Sequence, residues 1–230
     1  MLCAMTSNAP RTSVRRRPKQ RRARQTVEAV LDAVIRLLRR EGSQAITTNR
    51  IAEVAGVSIG SLYQYFPDKR AIFTALHQRH IDQIDRMVQT MLVEHAASSL
   101  EEFVRAIVEG MIEVHAVDPE VYDLLMAEVP HRADGTRDFA VRLHGAFRLA
   151  ISSRAHELKK GRDLNKVVFV VTHMVEALCH GAVLRRPPGM SLKDAKEETL
   201  RAILAYLRAR GSPALKSICL NLWRSRESAE

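Results

Sequence analysis

The residues best placed to do chemistry lie between Thr47 and Phe66, in the run TTNRIAEVAGVSIGSLYQYF. Ser58, Ser61, Tyr63 and Tyr65 carry hydroxyls that donate and accept hydrogen bonds, Gln64 carries an amide that does both, and Gly60 offers bare backbone. Ile59 stands among them, and the stretch from Ser58 to Tyr65 holds no histidine, cysteine, carboxylate or cation. Such a face is suited to recognition rather than to bond making. Hydroxyls and amides pair with anionic oxygens and with the edges of heterocyclic bases, partners that carboxylates would repel. Lys69 adds a positive charge a few residues on. Taken singly, Tyr63 and Tyr65 suit packing beside Phe66 and Phe73 equally well; packing does not explain the charge-free combination.

These residues need elements to position them. Thr47 caps a short helix whose buried side is Ile51, Ala52, Val54 and Ala55. Gly56 takes the left-handed conformation that ends it, and Ser58 caps the next helix. Small Ala52 allows close approach, while Val57 and Leu62 plug the angle between the two. Two short helices at a tight turn, the second with an uncharged outer face, read as a helix-turn-helix whose second helix enters the major groove of DNA. Upstream, Val27, Val30, Leu31, Val34, Ile35 and Leu38 make one apolar stripe, and Gly42 stops that helix. Downstream, Asp68 caps a long helix carrying Ile72, Ala75, Leu76, Ile81, Ile84, Val88 and Met91.

Further helical stretches are expected at about 100–117, 120–129 and 137–159, divided by Asp118-Pro119 and by the turn-forming segment 130–135. Leu164, Val167, Val168, Val171, Val175, Leu178 and Ala182 form a broad apolar face that must end by Pro187, Pro188 and Gly189. Ser191 caps a last helix with Leu200, Ile203, Leu204 and Leu207 in register. There is no strand run, hairpin dipeptide or repeat, so the expected fold class is all-α.

Composition narrows the function. The chain has 230 residues, 46% hydrophobic and 27% charged, a globular balance that excludes disorder throughout. Most of the formal charge of +10 sits in Arg11, Arg15, Arg16, Arg17, Lys19, Arg21, Arg22 and Arg24, with no acid among the first 24 residues. That block predicts a disordered basic arm, of a kind that meets polyanions. The arginines are not followed by an apolar segment, which argues against an export signal. No uninterrupted run reaches 18 apolar residues, since Val167 to Val171 is soon broken by Thr172, His173 and Glu176, so no bilayer span is expected. Cys3, Cys179 and Cys219 are odd in number and far apart, as free thiols of a reducing compartment would be. A phosphate loop, a G-x-S-x-G elbow and a paired metal motif are all missing. His77 and His80 lack a completing ligand, and His173, Glu176 and His180 share the broad apolar helix, where an interface histidine suits the pattern better than zinc.

Gly42, Thr47-Thr48, Ile51-Ala52, Ala55-Gly56-Val57-Ser58, Gly60, Leu62-Tyr63, Tyr65-Phe66, Lys69 and Phe73 together resemble the TetR family of transcriptional regulators, over roughly residues 24–84. The resemblance implies a three-helix DNA-binding domain at 24–84 with its motif at 47–66, preceded by the basic arm at 1–23. A larger helical effector-binding and dimerisation domain would follow at 85–212, with a flexible tail at 213–230. It further implies a cytoplasmic homodimer on a palindromic double-stranded DNA operator, acting as a repressor released by a small-molecule effector, without cofactor, membrane partner or enzymatic activity. Thr48, Ser58, Gly60, Ser61, Tyr63, Tyr65 and Lys69 match positions that commonly touch DNA, largely phosphate; Gln64 and Ser61 are candidates for reading bases. Arg70 stands where an acid is frequent, which leaves the operator sequence open. Met111, His115, Tyr122, Met126, Phe147, His173 and Met174 are candidates for the effector pocket, each equally suited to plain core packing. The helices at about 164–184 and 191–208 match the place where family members pair as a four-helix bundle. Two alternatives stay open: a constitutive or architectural DNA-binding protein without an effector, and an all-helical metal-binding enzyme.

Overall fold

Apolar residues spaced three and four apart make almost every segment helical. The structure is a computed structural model that describes residues 21–129 and 134–209. Among the described residues it forms nine α-helices and no strand, as the all-α expectation required. They are α1 Arg21–Glu41, α2 Thr48–Ala55, α3 Ile59–Tyr65, α4 Lys69–Glu94, α5 Leu100–Ala116, α6 Pro119–Glu128, α7 Asp134–Ser153, α8 Leu164–Leu184 and α9 Leu192–Arg208, with short 3-10 turns at Ser43–Ala45 and Ala155–Glu157. The expected arm falls mostly outside the described residues and the expected tail wholly so; Arg21 to Ala23, placed in the arm by sequence, are the first turn of α1.

The chain divides into two compact units, with the divisions falling inside α4, α5 and α7. Among the described residues, the first holds those up to Arg86 together with those between Val114 and Ala140. Its core joins Val30, Leu31, Val34 and Leu37 of α1 to Ile51 and Ala52 of α2, Leu62 of α3, and Phe66, Ile72, Phe73 and Leu76 at and beyond the start of α4. Val121, Leu125 and Val129 are buried in the same core. The single boundary at 84/85 read from sequence therefore differs from this division, because α6 packs against α1 and buries Val121 and Leu125 in the core that α1 shares with the helix-turn-helix. An apolar stripe reports that a helix buries one face, not which neighbour covers it. Ion pairs follow the same seams: Arg39 pairs with Asp118, and Arg79 reaches Glu28 at 3.0 Å and Asp32 at 2.8 Å.

The second unit holds Met87–Glu113 and the described residues from Val141 onward. Phe103, Ile107 and Val108 of α5, Phe147 and Ile151 of α7, Val168, Val171, Val175 and Cys179 of α8, and Ile203 of α9 are all buried, and α8 packs against α9. Arg154 is a polar fastener here, 5% exposed, donating to the carbonyl oxygens of Ser98 at 2.8 Å, Ala150 at 2.9 Å and Ala96 at 3.3 Å, and to that of His95. Its guanidinium lies 4.9 Å from the Phe103 ring centre. This inward turn also explains why α7 ends at Ser153 rather than near 159: Arg154 leaves helical geometry, and Glu157 turns back to accept from the Leu100 N–H at 2.9 Å.

The membrane expectation needs correction in one respect. Although no unbroken apolar run reaches 18 residues, α8 is long and apolar enough to cross a bilayer when polar interruptions are averaged over its length. Val167, Val168, Val171, Thr172, Val175, Cys179, Ala182 and Val183 are nonetheless buried inside the protein, so much of that apolar character is spent on packing.

Candidate nucleic-acid interface

The recognition segment is built from its caps inward. Thr47 is extended, and its hydroxyl oxygen accepts from the Arg50 N–H at 3.3 Å, opening α2. Gly56 closes α2 at φ 69°, a left-handed conformation that a side chain would strain, and the Val57 N–H donates to the Ala52 carbonyl at 3.0 Å. Ser58 then opens α3, its hydroxyl oxygen accepting from the Ser61 N–H at 3.1 Å. Asp68 opens α4 in the same way, accepting from the Ala71 N–H at 2.7 Å. Each punctuation residue read from sequence does the job assigned to it.

With those caps in place, Leu62 and Phe66 point into the core at 0% exposure and the opposite side of α3 is left outside. Ser58, Ile59, Gly60, Tyr63 and Gln64 are exposed, while Ser61 and Tyr65 are half-buried. Tyr63 is 40% exposed, and Tyr65 packs against the core cluster, so the two tyrosines divide the roles that sequence left undecided. The Tyr63 hydroxyl lies 3.2 Å from the Thr48 hydroxyl, tying the first turn of α2 to the middle of α3, and the Ser58 and Ser61 hydroxyls are 2.8 Å apart. Thr48 with Tyr63 and Ser58 with Ser61 thus form two hydroxyl pairs on the adjoining helices α2 and α3. Lys69 is exposed at the first turn of α4, its ammonium 5.5 Å from the Phe73 ring centre.

Two braces that sequence reading missed steady this surface. Arg50 pairs with Glu53 at 2.6 Å and Glu41 at 2.5 Å, and these carboxylates raise its pKa further, Glu53 most. Arg36 donates to the Val54 carbonyl at 3.0 Å, holding α1 to the end of α2. The i to i+3 spacing of Arg50 and Glu53 was visible in the sequence; the two contacts made with α1 were not.

The effector candidates fare differently. His115 and Tyr122 lie side by side in the first unit, ring centres 4.3 Å apart, together with His80. Met111 and Phe147 are buried among the residues of the second unit, Met126 and Met174 are half-buried, and His173 is exposed against Phe169 with ring centres at 4.3 Å. Of this set, His115 and Tyr122 alone border a common cavity, of about 80 Å³, which His80 also lines. Cys179 is buried, which pushes its thiol up to about 12. Among the described residues, no group of three or more histidine, cysteine or acidic side chains is arranged to hold a metal ion.

Two family models match the sequence: "Bacterial regulatory proteins, tetR family" over residues 30–76 and "Tetracyclin repressor-like, C-terminal domain" over residues 99–207. The chain belongs to the TetR family. The first of these matches runs from Val30, within α1, to the start of α4, the part that carries the ridge. Among similar proteins is the nucleoid occlusion factor SlmA of Actinobacillus pleuropneumoniae, 36% identical over 126 residues, 52% of this chain and 54% of that protein. SlmA of Haemophilus ducreyi is 37% identical over 122 residues, 50% of this chain and 52% of that protein. The chain thus spans about half the length of the curated relatives it matches. Among solved structures, a TetR-family regulator from Streptomyces coelicolor is similar with a TM-score of 0.54 at 23% identity, covering 79% of this chain and 99% of that one. The fatty acid degradation regulator FadR of Bacillus halodurans reaches a TM-score of 0.60 at 15% identity, with 84% and 100% covered. At these identities the likeness is one of fold. TetR-family regulators bind DNA and usually dimerise.

Proposed function

We propose that the chain is a cytoplasmic, homodimeric transcriptional regulator, not an enzyme, that sets the α3 ridge of each subunit into the major groove of a palindromic operator and represses until a small-molecule effector releases it. The observation that carries this reading is the exposed, charge-free face of α3, with Tyr63 outside and Leu62 inside. Thr48, Ser58, Ser61, Tyr63 and Lys69 present hydroxyls and an ammonium to phosphate oxygens, and Gln64 is placed to meet a base edge. Gly60 lets the backbone approach. Two half-sites on DNA require a two-fold protein, and the exposed side of α8, with Phe169, His173 and Ala177, is the surface assigned to the partner subunit. Release follows if an effector prefers a packing in which the two ridges are wrongly spaced, by as much as its affinity differs between the two packings. The helix α4 begins just after the ridge and runs unbroken to Glu94, a continuous path for that coupling.

Fluorescence anisotropy on the DNA flanking the chain's own gene tests the reading. Tight, salt-sensitive binding that Gln64→Ala redirects to other sequences supports it; binding that ignores changes on α3 refutes it. The relatives' name, nucleoid occlusion factor, favours a second reading, that of a nucleoid-associated DNA-binding protein. Mapping occupied sites across the chromosome separates the two: one or a few operators support the regulator, scattered sites the nucleoid role.

A further inference from the structure

On the outer side of α3 stands one aliphatic side chain that the core does not use. Among the described residues, Val57, Leu62, Tyr65 and Phe66 pack into or against the core of the first unit, and Ile59 is not one of them. It is 39% exposed, and Tyr63, four residues on and therefore on the same side of the helix, is 40% exposed. Single exposed apolar residues are ordinary on a protein surface. The position of this one is not. Ile59 is the first residue of α3, directly after the Ser58 cap, and the opening turn of the second helix of a helix-turn-helix is the part brought to base edges.

Gly60 supplies a second observation. Its φ is not positive, and a Cβ there would meet nothing nearer than the Ser58 Oγ at 4.0 Å. Neither backbone conformation nor packing therefore requires glycine, although glycine lowers helix stability relative to alanine. The missing side chain leaves the flank of Ile59 open to a surface arriving from outside. What that surface must offer follows from the chemistry of isoleucine, which has no donor and no acceptor. Against a ring nitrogen, a carbonyl or an exocyclic amine it would strip water from a polar edge and return no hydrogen bond. The one apolar group that a base pair shows in the major groove is the methyl at C5 of thymine, and cytosine carries the same group only when methylated at C5. Contact with Ile59 removes apolar surface of both partners from water.

We propose that Ile59 reads the C5-methyl group of one pyrimidine in each half-site, a thymine in unmodified DNA, and so sets a base preference separate from that of Gln64. This role rests on α3 being a DNA-recognition helix. Gln64 and Ser61 discriminate through hydrogen bonds, whereas Ile59 discriminates by shape and by the loss of water from a methyl group.

The test uses the full chain and palindromic duplexes recovered from a random pool by repeated selection. Each thymine is replaced in turn, in both half-sites, by deoxyuridine, which lacks only the C5 methyl, and affinity is read by anisotropy at fixed salt. One position per half-site is expected to lose about tenfold for the two methyls together. At that position 5-methylcytosine paired with guanine should bind several-fold more tightly than cytosine paired with guanine. In Ile59→Ala the ratio of thymine to deoxyuridine affinity should fall below about twofold, and Ile59→Val should keep part of it. Deoxyuridine effects below about twofold at every position, or a ratio that Ile59→Ala leaves intact, would overturn the role of Ile59; binding that still weakens in Gln64→Ala would then leave the recognition helix standing. If no duplex is preferred, or if Tyr63→Ala and Gln64→Ala bind as the unaltered protein does, the assignment of α3 fails and the role of Ile59 with it.

Discussion

At the scale of single residues, the protein separates groups that present chemistry from groups that are kept from it. Tyr63 and Tyr65 are two positions apart on one short helix, yet Tyr63 is exposed and Tyr65 leans on the core. Tyr63→Phe keeps the ring but removes the hydroxyl held 3.2 Å from Thr48, so DNA affinity should fall by about 0.5–1.5 kcal/mol across all sequences, measured by anisotropy at fixed salt. Cys179 is the opposite case. Burial raises its thiol from 9.0 to about 12, so the native protein should react with a thiol reagent at pH 8 only as fast as it opens. The sign for stability follows: above pH 9 the unfolded thiol ionises while the folded one stays protonated. Stability should therefore fall with rising pH by about 1.4 kcal/mol per unit until the folded thiol also ionises, and this component should vanish in Cys179→Ala, as read by urea unfolding.

At the scale of elements, caps and buried faces decide where each helix lies. Thr47→Ala should cost about 1 kcal/mol of stability through loss of the α2 cap, and Leu62→Ala about 2–5 kcal/mol because α3 has so few other anchors. In α9, Ser191 and Asp194 form a reciprocal capping box, and the hydrogen bonds from the Ser191 hydroxyl and N–H hold the Asp194 carboxyl below its ordinary range. The folded carboxylate is favoured, so this contribution is present above the unfolded carboxyl pKa and lost as pH falls through the lower folded one. The melting-temperature difference between the unaltered protein and Asp194→Asn should accordingly shrink at acid pH. These elements were legible in the sequence because Thr47, Gly56, Ser58, Asp68 and Ser191 act locally, on backbone within a few residues. The allegiance of α6 to the first core was not, since Val121, Leu125 and Val129 would show the same spacing against any partner. His80 was likewise missed as a companion of His115 and Tyr122, which lie 35 and 42 positions away in the chain.

At the scale of the whole molecule, the proposed function rests on pairing two copies and on charge. Phe169, 56% exposed on α8, belongs to the surface assigned to the partner subunit, so Phe169→Glu should yield monomers in sedimentation and loosen operator binding by much more than it lowers stability. The arginine-rich segment before α1 should steepen the salt dependence by about 0.9 in log K per log salt for each phosphate it neutralises. Its removal should lower that slope while leaving sequence preference unchanged. The central claim is that the α3 ridges of a dimer read two half-sites. Hydroxyl-radical footprinting on the DNA flanking the gene tests it most directly. Two protected patches about 10 base pairs apart, or a small multiple of that, which fade together in Tyr63→Ala, are the predicted result. A lone patch, or paired protection that survives changes along α3, would contradict it.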